Sequence, residues 1–186
     1  YTGLNTQWLA TVIIIVTLAV FAIALVLSLL DAHAARLSTS LHLAHDELLK
    51  LALHDSLTRL PNRLLFATRL EQRIQECQHS QRSFSLLFLD LDGFKIINDA
   101  HGHHTGDLLL AEVATRITAL LGASDTASRF GGDEFVLALA PGDLSQTTAF
   151  AERLLATLAQ PYEWEHHSLH ITASIGIAVY PQDGTS

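Results

Sequence analysis

No charged side chain and no histidine occurs in the first 30 residues, although the 186-residue chain has 30 charged side chains and 11 histidines in all. The two stretches are different materials, and whole-chain averages describe neither. Cysteine is almost absent. Cys77 stands alone, which excludes an internal disulfide framework and fits a reducing compartment, with the thiol acting as a small buried apolar group. Methionine is missing altogether, and a chain that opens on Tyr1-Thr2-Gly3 without a start residue is expected to be a segment of something longer. Basic residues are scarce, 11 against 19 acidic ones, for a net charge of -8. A chain of that balance lacks the basic face that displaces counterions from a nucleic acid, so no nucleic-acid partner is expected. A nucleotide carried in with magnesium is compatible with it. Disorder is excluded by the 49% of hydrophobic residues.

What the first stretch does contain is WLATVIIIVTLAVFAIALVLSLL, 23 residues from Trp8 to Leu30 whose only polar members are Thr11, Thr17 and Ser28. A helix of that length covers about 34 Å, enough for a hydrocarbon core of about 30 Å. A secretory signal would need a basic leader and a shorter apolar run, and residues 1–7 carry no charge. A transmembrane helix over 8–30 is predicted, with 1–7 as its extracytoplasmic end. Basic residues follow at Arg36, Lys50, Arg59 and Arg63, which places the C-terminal side in the cytoplasm.

Leu30, Ala34, Leu37, Leu41, Ala44, Leu48 and Leu51 recur at alternating steps of four and three. That is a heptad seam leading straight out of the membrane helix, and it marks 31–53 as a signalling linker. Tethering in a membrane raises the local concentration of a second copy, so a homodimer through this linker is expected. The other reading is a stripe that packs on the chain's own downstream domain. His42, His45 and His54 read as solvated, since no acidic or thiol partner stands at ligand spacing.

Residues 54–186 alternate helical and β patterns, which predicts one α/β or α+β sandwich domain of about 130 residues. Pro61 in the stretch LPNR stops the linker helix, and a new helix starts at about Leu64 with Phe66, Leu70, Ile74 and Cys77 on its inner face. FSLLFLDLD, Phe84 to Asp92, is apolar on both faces and is predicted to be a central strand covered on both sides. Short and longer helices follow over 94–99 and 105–121, the second burying Leu109, Val113, Ile117 and Leu120. SRFGGDEFVLALA, Ser128 to Ala140, reads as two strands about a Gly-Gly turn, 143–159 as a helix, and 162–180 as β with a turn near His166 and His167.

The central strand ends in Asp90 and Asp92, two apart and so on one face. Unpaired carboxylates in a sheet interior are costly, so something must satisfy them. The hairpin offers Asp133 and Glu134 at its turn, where Gly131 and Gly132 leave the backbone open to a ligand. If the hairpin lies beside the Asp90 strand, three or four carboxylates converge, and such hard-oxygen clusters hold magnesium, usually with phosphates. Each piece alone has a plainer reading: a Gly-Gly hairpin is a turn, and an Asp-x-Asp strand end is a helix cap or a surface edge.

FLDLDGFKIINDAHGHHTGD, Phe88 to Asp107, followed by SRFGGDEFVL, Ser128 to Leu137, resembles the GGDEF domain of bacterial diguanylate cyclases. HDSLTRLPNR, His54 to Arg63, resembles that family's opening motif, and ITASIGIAVYPQDG, Ile171 to Gly184, its late strand. Residues 1–53 are similar to the last span and linker of MHYT-type membrane sensors, which often carry an EAL phosphodiesterase domain behind the GGDEF domain. The resemblance implies a palm-like nucleotide cyclase fold with a central mixed sheet and flanking helices, set on the bacterial inner membrane. It implies a reaction in which two GTP molecules condense to cyclic di-GMP and two pyrophosphates across a homodimer. Asp90, Asp133 and Glu134, with the carbonyl of Leu91, take the positions of ligands to Mg2+ or Mn2+. Asp133 also takes that of the group accepting the 3'-hydroxyl proton. Lys95 occupies the place of a transition-state stabiliser, and Asn98, Asp107 and His103 those of the guanine site.

The residue types suit these places. Guanine presents N1-H and the 2-amino group as adjacent donors, which the carboxylate of Asp107 accepts together and adenine cannot offer. Gly102 and Gly106 are expected to let the loop press against the base. Lys95 also reads as an ordinary surface lysine, Asp92 and Asp99 as cap or salt-bridge residues, and Phe88, Phe94, Phe130 and Phe135 as core packing. HGHH, His101 to His104, lacks the partners of a zinc site. Two departures from the family stand out. Its Arg-x-x-Asp product site has Asp125 here but Gly122 in place of the arginine, so weak feedback inhibition is expected. The chain stops at Ser186, before the helix in which the family supplies a lysine and an arginine to the phosphates. A GTP-binding module that tunes a phosphodiesterase domain is the competing function, and another metal-dependent nucleotide cyclase of the same palm is a third.

Overall fold

The computed structural model describes the backbone of residues 2–140, 143–164 and 167–185, and their side chains except at 2–7, 34–35, 43–46, 164 and 167. Contacts divide the chain into two compact units, Tyr1–Lys50 and Leu51–Ser186. The described residues of the first belong to α1, Thr2–Leu53. A stretch of α1 is long and apolar enough to cross a membrane by length and composition. Thr17 Oγ1 donates back to the carbonyls of Ile13 and Ile14, both at 2.9 Å. A polar side chain satisfied within its own helix is what hydrocarbon requires. Further along, Leu37, Leu41 and Leu48 of the heptad seam are 69%, 71% and 65% exposed. The side chains of Ala34, Ala44 and His45 lie outside the described residues.

In the second unit, α2 (Arg63–Ser80) opens on Asn62, whose Oδ1 accepts from the amides of Leu64 and Leu65. Such a side-chain acceptor satisfies the orphan donors of a first helical turn. Phe66 and Cys77 are buried on its inner face, with Leu70 and Ile74 half-buried. Then follow β1 (Phe84–Asp92), α3 (Phe94–His101), α4 (His103–Leu120), β2 (Thr126–Gly131), β3 (Glu134–Leu139), α5 (Leu144–Leu158), β4 (Tyr162–Trp164), β5 (His167–Leu169) and β6 (Thr172–Tyr180). The turn expected near His166 and His167 lies in part outside the described residues.

The main sheet has the order β2-β3-β1-β6, and β4 pairs only with β5. Every pairing in it is antiparallel, which corrects the expected mixed sheet. The reason is topological. The α3–α4 connection carries the chain past the slot beside β1, and the tight hairpin then returns β3 into it, so β1 and β2 never touch. The domain is thus an α+β sandwich with a wholly antiparallel main sheet.

The second correction concerns β1. Its Leu87, Leu89 and Leu91 are at most 1% exposed and pack with Leu109, Val113 and Ile117 of α4 and Leu154 and Leu158 of α5. Its other face is covered only at the start, where Leu86 meets Phe66, Leu70, Val136 and Ala138. Beyond α2 that face opens, and Phe88 is 49% exposed, its ring edge-on to Phe130 at 5.8 Å. Phe94 and Phe135 are core residues as expected, whereas Phe88 stands at the mouth of the open face.

Candidate active site

The open face carries the acids. Asp90 lies directly opposite Glu134 in the β1–β3 ladder and opposite Ser174 in the β1–β6 ladder. Directly paired residues project to one face with Cβ atoms about 5 Å apart. Asp133 occupies the turn just before Glu134. Partial loss of water, then the charges of Asp133, Glu134 and Asp92, raise the Asp90 carboxyl above its ordinary range. The acids therefore repel one another across the strands and would gain from a cation.

Asp92 behaves oppositely. Thr172 Oγ1 donates to its Oδ2 at 2.7 Å and Ser174 Oγ to its Oδ1 at 2.8 Å, and these two bonds hold its carboxyl below the usual range. It is neither a cap nor a salt bridge, as expected from sequence, but an acceptor pinned by β6. With Asp92 drawn aside, the expected meeting of three or four carboxylates at one point is not found. Among the described residues no three Asp, Glu, His or Cys side chains are grouped as a ready metal cage. The arrangement is instead a facing pair, Asp90 and Glu134, with Asp133 within electrostatic range. Leu91 buries its side chain, and its backbone lies one residue past the last β1–β3 pair, where the ladder on that side has ended. Hard oxygens from carboxylates and one carbonyl are donors of the kind magnesium takes, so the residues fit the ion.

The turn has a shape of its own. Gly132 has φ +53°, a left-handed conformation that glycine adopts without strain, and the ladder slips by one residue between Arg129 and Gly131. The Gly132 carbonyl accepts from Arg129 Nε at 2.9 Å and Nη2 at 2.7 Å. Arg129 Nη1 reaches back to Asp55, 3.1 and 3.3 Å from its two oxygens. Burial works against the charge on Asp55, yet the Thr58 hydroxyl and amide and the Arg129 guanidinium outweigh it and keep the carboxyl below the usual range. Sequence reasoning singled out neither Asp55 nor Arg129. Both sit inside quoted motifs, but their pairing spans 74 residues and no local pattern announces it.

The remaining candidates lie on α3 and α4. Lys95 is exposed on the first turn of α3, immediately beyond the acidic end of β1, and Asp99 is exposed further on. Asn98 is half-buried, and its Oδ1 is shut off from solvent with no hydrogen-bond donor. Gly106 packs against it: a Cβ there would collide with Asn98 Oδ1 and stand 2.9 Å from Cγ. Gly106 thus makes room for the Asn98 amide, where the sequence suggested a loop pressing on a base. His103 and Asp107 are both exposed, one turn apart on the first two turns of α4. At the position of the family's product site, Asp125 accepts from the amides of Gly122 at 2.8 Å and Ala140 at 2.7 Å, so both oxygens serve its own loop.

Fold and site together define an α+β sandwich with acids on the open face of its sheet, and comparison with known proteins gives its family. Residues 52–186 match the family model described as diguanylate cyclase, GGDEF domain, and the chain belongs to that family. It is 53% identical over 186 residues to the bifunctional diguanylate cyclase/cyclic di-GMP phosphodiesterase MucR of Pseudomonas aeruginosa. The match takes in 98% of this chain but only 27% of that relative. Among solved structures, a sensory box/GGDEF family protein from Caulobacter crescentus superposes with TM-score 0.68 at 40% identity, over 72% of this chain and 87% of that one. The coiled coil and GGDEF domain of DgcB from the same organism, in complex with c-di-GMP, gives TM-score 0.72 at 26% identity, over 84% and 86%.

Proposed function

We propose that this domain is a working diguanylate cyclase. In each half-reaction a 3'-oxygen bonds to the α-phosphorus of the second GTP, the bond to pyrophosphate breaks, and the hydroxyl proton passes to Asp133. Two such steps across a homodimer yield cyclic di-GMP and two pyrophosphates. The observation that carries this reading is the placement of Asp90 opposite Glu134, with Asp133 at the turn and their mutual repulsion left unneutralised. Asp90, Glu134, Asp133 and the Leu91 carbonyl are the groups to hold Mg2+ or Mn2+. When bound, the ion neutralises the triphosphate and lowers the pKa of the attacking hydroxyl. Lys95, one turn beyond the acids, meets the charge that builds on the phosphate. Gly131 and Gly132, both exposed, let the substrate approach the turn. The half-buried Asn98 amide reads the guanine edge, with Asp107 and His103 exposed on α4.

In this reading α1 crosses the bacterial inner membrane over 8–30, the linker over 31–53 pairs two copies, and residues 54–186 work in the cytoplasm. The exposed heptad leucines of α1 support the pairing. A second reading, a GTP-binding module that regulates a phosphodiesterase domain elsewhere in the protein, is favoured by one fact. The relative MucR is named bifunctional, and this chain spans about a quarter of its length. The deciding experiment is GTP turnover with magnesium by the complete protein, beside the Asp133→Ala, Glu134→Ala double variant. Product from the parent and none from the variant supports the cyclase; equal product from both disposes of it.

A further inference from the structure

Asp133 sits in the two-residue turn 132–133 that joins β2 to β3. The last β2–β3 pair is Gly131 with Glu134, the ladder has just slipped, and Gly132 is left-handed. The peptide between Gly132 and Asp133 is the middle of that turn. The carbonyl of that peptide is gripped by two N–H groups of Arg129, at 2.9 and 2.7 Å. The remaining arm of the guanidinium is held by both oxygens of Asp55. A planar fork with fixed donor directions can do this, and an ammonium group cannot.

We infer that Arg129 and Asp55 are positioning residues that clamp the 132–133 peptide, and so fix where Asp133 stands, from the loop that leads out of α1. The inference rests on the cyclase reading for its consequence in catalysis, though not for its geometry. Asp55 is itself immobilised: its carboxylate accepts from the Thr58 amide at 2.8 Å and the Thr58 hydroxyl at 2.7 Å. Its amide donates to the Leu60 carbonyl at 2.8 Å, and its carbonyl accepts from the Arg59 amide at 2.9 Å. A second tie meets β2 at the same residue, where the Arg129 amide donates to the Pro61 carbonyl at 3.2 Å. Next along, Asn62 donates its amide to the Leu53 carbonyl at 2.9 Å and Nδ2 to the Ala52 carbonyl at 2.8 Å. Residues 52 and 53 end α1 and belong to the same compact unit as the clamp. Hydrogen bonds therefore join the point where α1 enters the domain to the peptide that precedes Asp133.

The test uses Arg129→Lys, which keeps the charge and loses the fork, and Asp55→Asn, which keeps an acceptor for Thr58 and loses the ion pair. In the complete protein each is expected to lower kcat by roughly tenfold or more, with the KM for GTP nearly unchanged, because a displaced reacting group costs rate rather than binding. The magnesium concentration giving half-maximal rate should rise in both. A folded variant with parental kcat and parental magnesium dependence overturns the clamp while leaving the cyclase standing. If the parent makes no product, the cyclase reading fails by itself, and amide hydrogen exchange then tests the clamp. Peptides covering 131–135 should exchange faster in Arg129→Lys than in the parent, and equal exchange overturns it. Should Arg129→Lys fold poorly, Asp55→Asn carries both measurements.

Discussion

Asp90 and Asp92 stand two residues apart on the same face of the same strand, and their chemistry is opposite. Towards β6 the neighbours are hydroxyls, and Thr172 and Ser174 each donate to one oxygen of Asp92. Towards β3 the neighbours are acids, and Asp90 faces Glu134 and Asp133, whose charges raise its carboxyl. A motif of two aspartates therefore holds one structural carboxylate and one poised to take a cation, and the adjoining strand decides which is which. Both aspartates lie on the open face of β1, whose other face is sealed by α4 and α5.

The comparison is broken most severely by removing the acids on the β3 side. Asp90→Asn and Asp133→Asn are each expected to reduce cyclic di-GMP formation by about a thousandfold or more, as loss of a metal-holding group does. The same substitutions should raise the melting temperature of the metal-free protein, because each relieves repulsion. Asp92→Asn should instead lower it, since a carboxylate accepting two hydroxyls becomes an amide that can accept at one oxygen only. Calorimetry in chelator and turnover in magnesium check the three variants together, and a rise for Asp92→Asn would erase the distinction between the two sides.

The next effect concerns the pocket at the α3–α4 junction. Gly106→Ala pushes a methyl group into the space of the Asn98 amide, and the amide must leave its pose. GTP affinity is expected to fall roughly tenfold, the worth of one buried polar contact left unmade. Inosine triphosphate, which lacks the 2-amino group, should gain relative to GTP if discrimination depends on that pose. Unchanged discrimination would separate Gly106 from recognition.

How much of this was legible follows from the range of each interaction. β1, the Gly-Gly hairpin, α5 and the inner faces of α2 and α4 follow from periodicity and turn residues within a dozen positions, and the structure has β1 at the bounds read and the hairpin and α5 within two residues of theirs. The bonds that pin Asp92 join residues 80 and 82 apart, and the Arg129 clamp spans 74. Such contacts exist only after the sheet is assembled, and the direction of its strands was the point misread. A run such as FSLLFLDLD reads as covered on both faces, since nothing in it says that α2 stops short of Phe88. Likewise Gly106 reads as a loop glycine, because the atom that demands it sits eight positions back on another helix.

Acid should distinguish Asp55 from Asp90 by sign. The Asp55 carboxyl is depressed in the fold, so its contribution to stability is present above the unfolded value near pH 4 and is lost as pH falls through the folded value. The Asp90 carboxyl is raised, so its ionisation costs stability above the folded value, and that cost disappears in acid. Melting temperature against pH should therefore fall less steeply below about pH 4 in Asp55→Asn than in the parent. The gain shown by Asp90→Asn at neutral pH should vanish over the same range. Parallel curves for all three proteins would remove the electrostatic difference on which the comparison rests.

The smallest expected effect is an insensitivity. At the product site Gly122 brings no guanidinium, and Asp125 spends both oxygens on the amides of Gly122 and Ala140. Adding cyclic di-GMP should leave the initial rate of GTP turnover nearly unchanged at concentrations far above the substrate. Gly122→Arg alone should not restore inhibition, because the carboxylate that would complete the grip is already committed to its own loop. Feedback appearing in that single variant would show that Asp125 lets go of the loop more readily than two short hydrogen bonds suggest, and normal inhibition of the parent would place the product on other residues altogether.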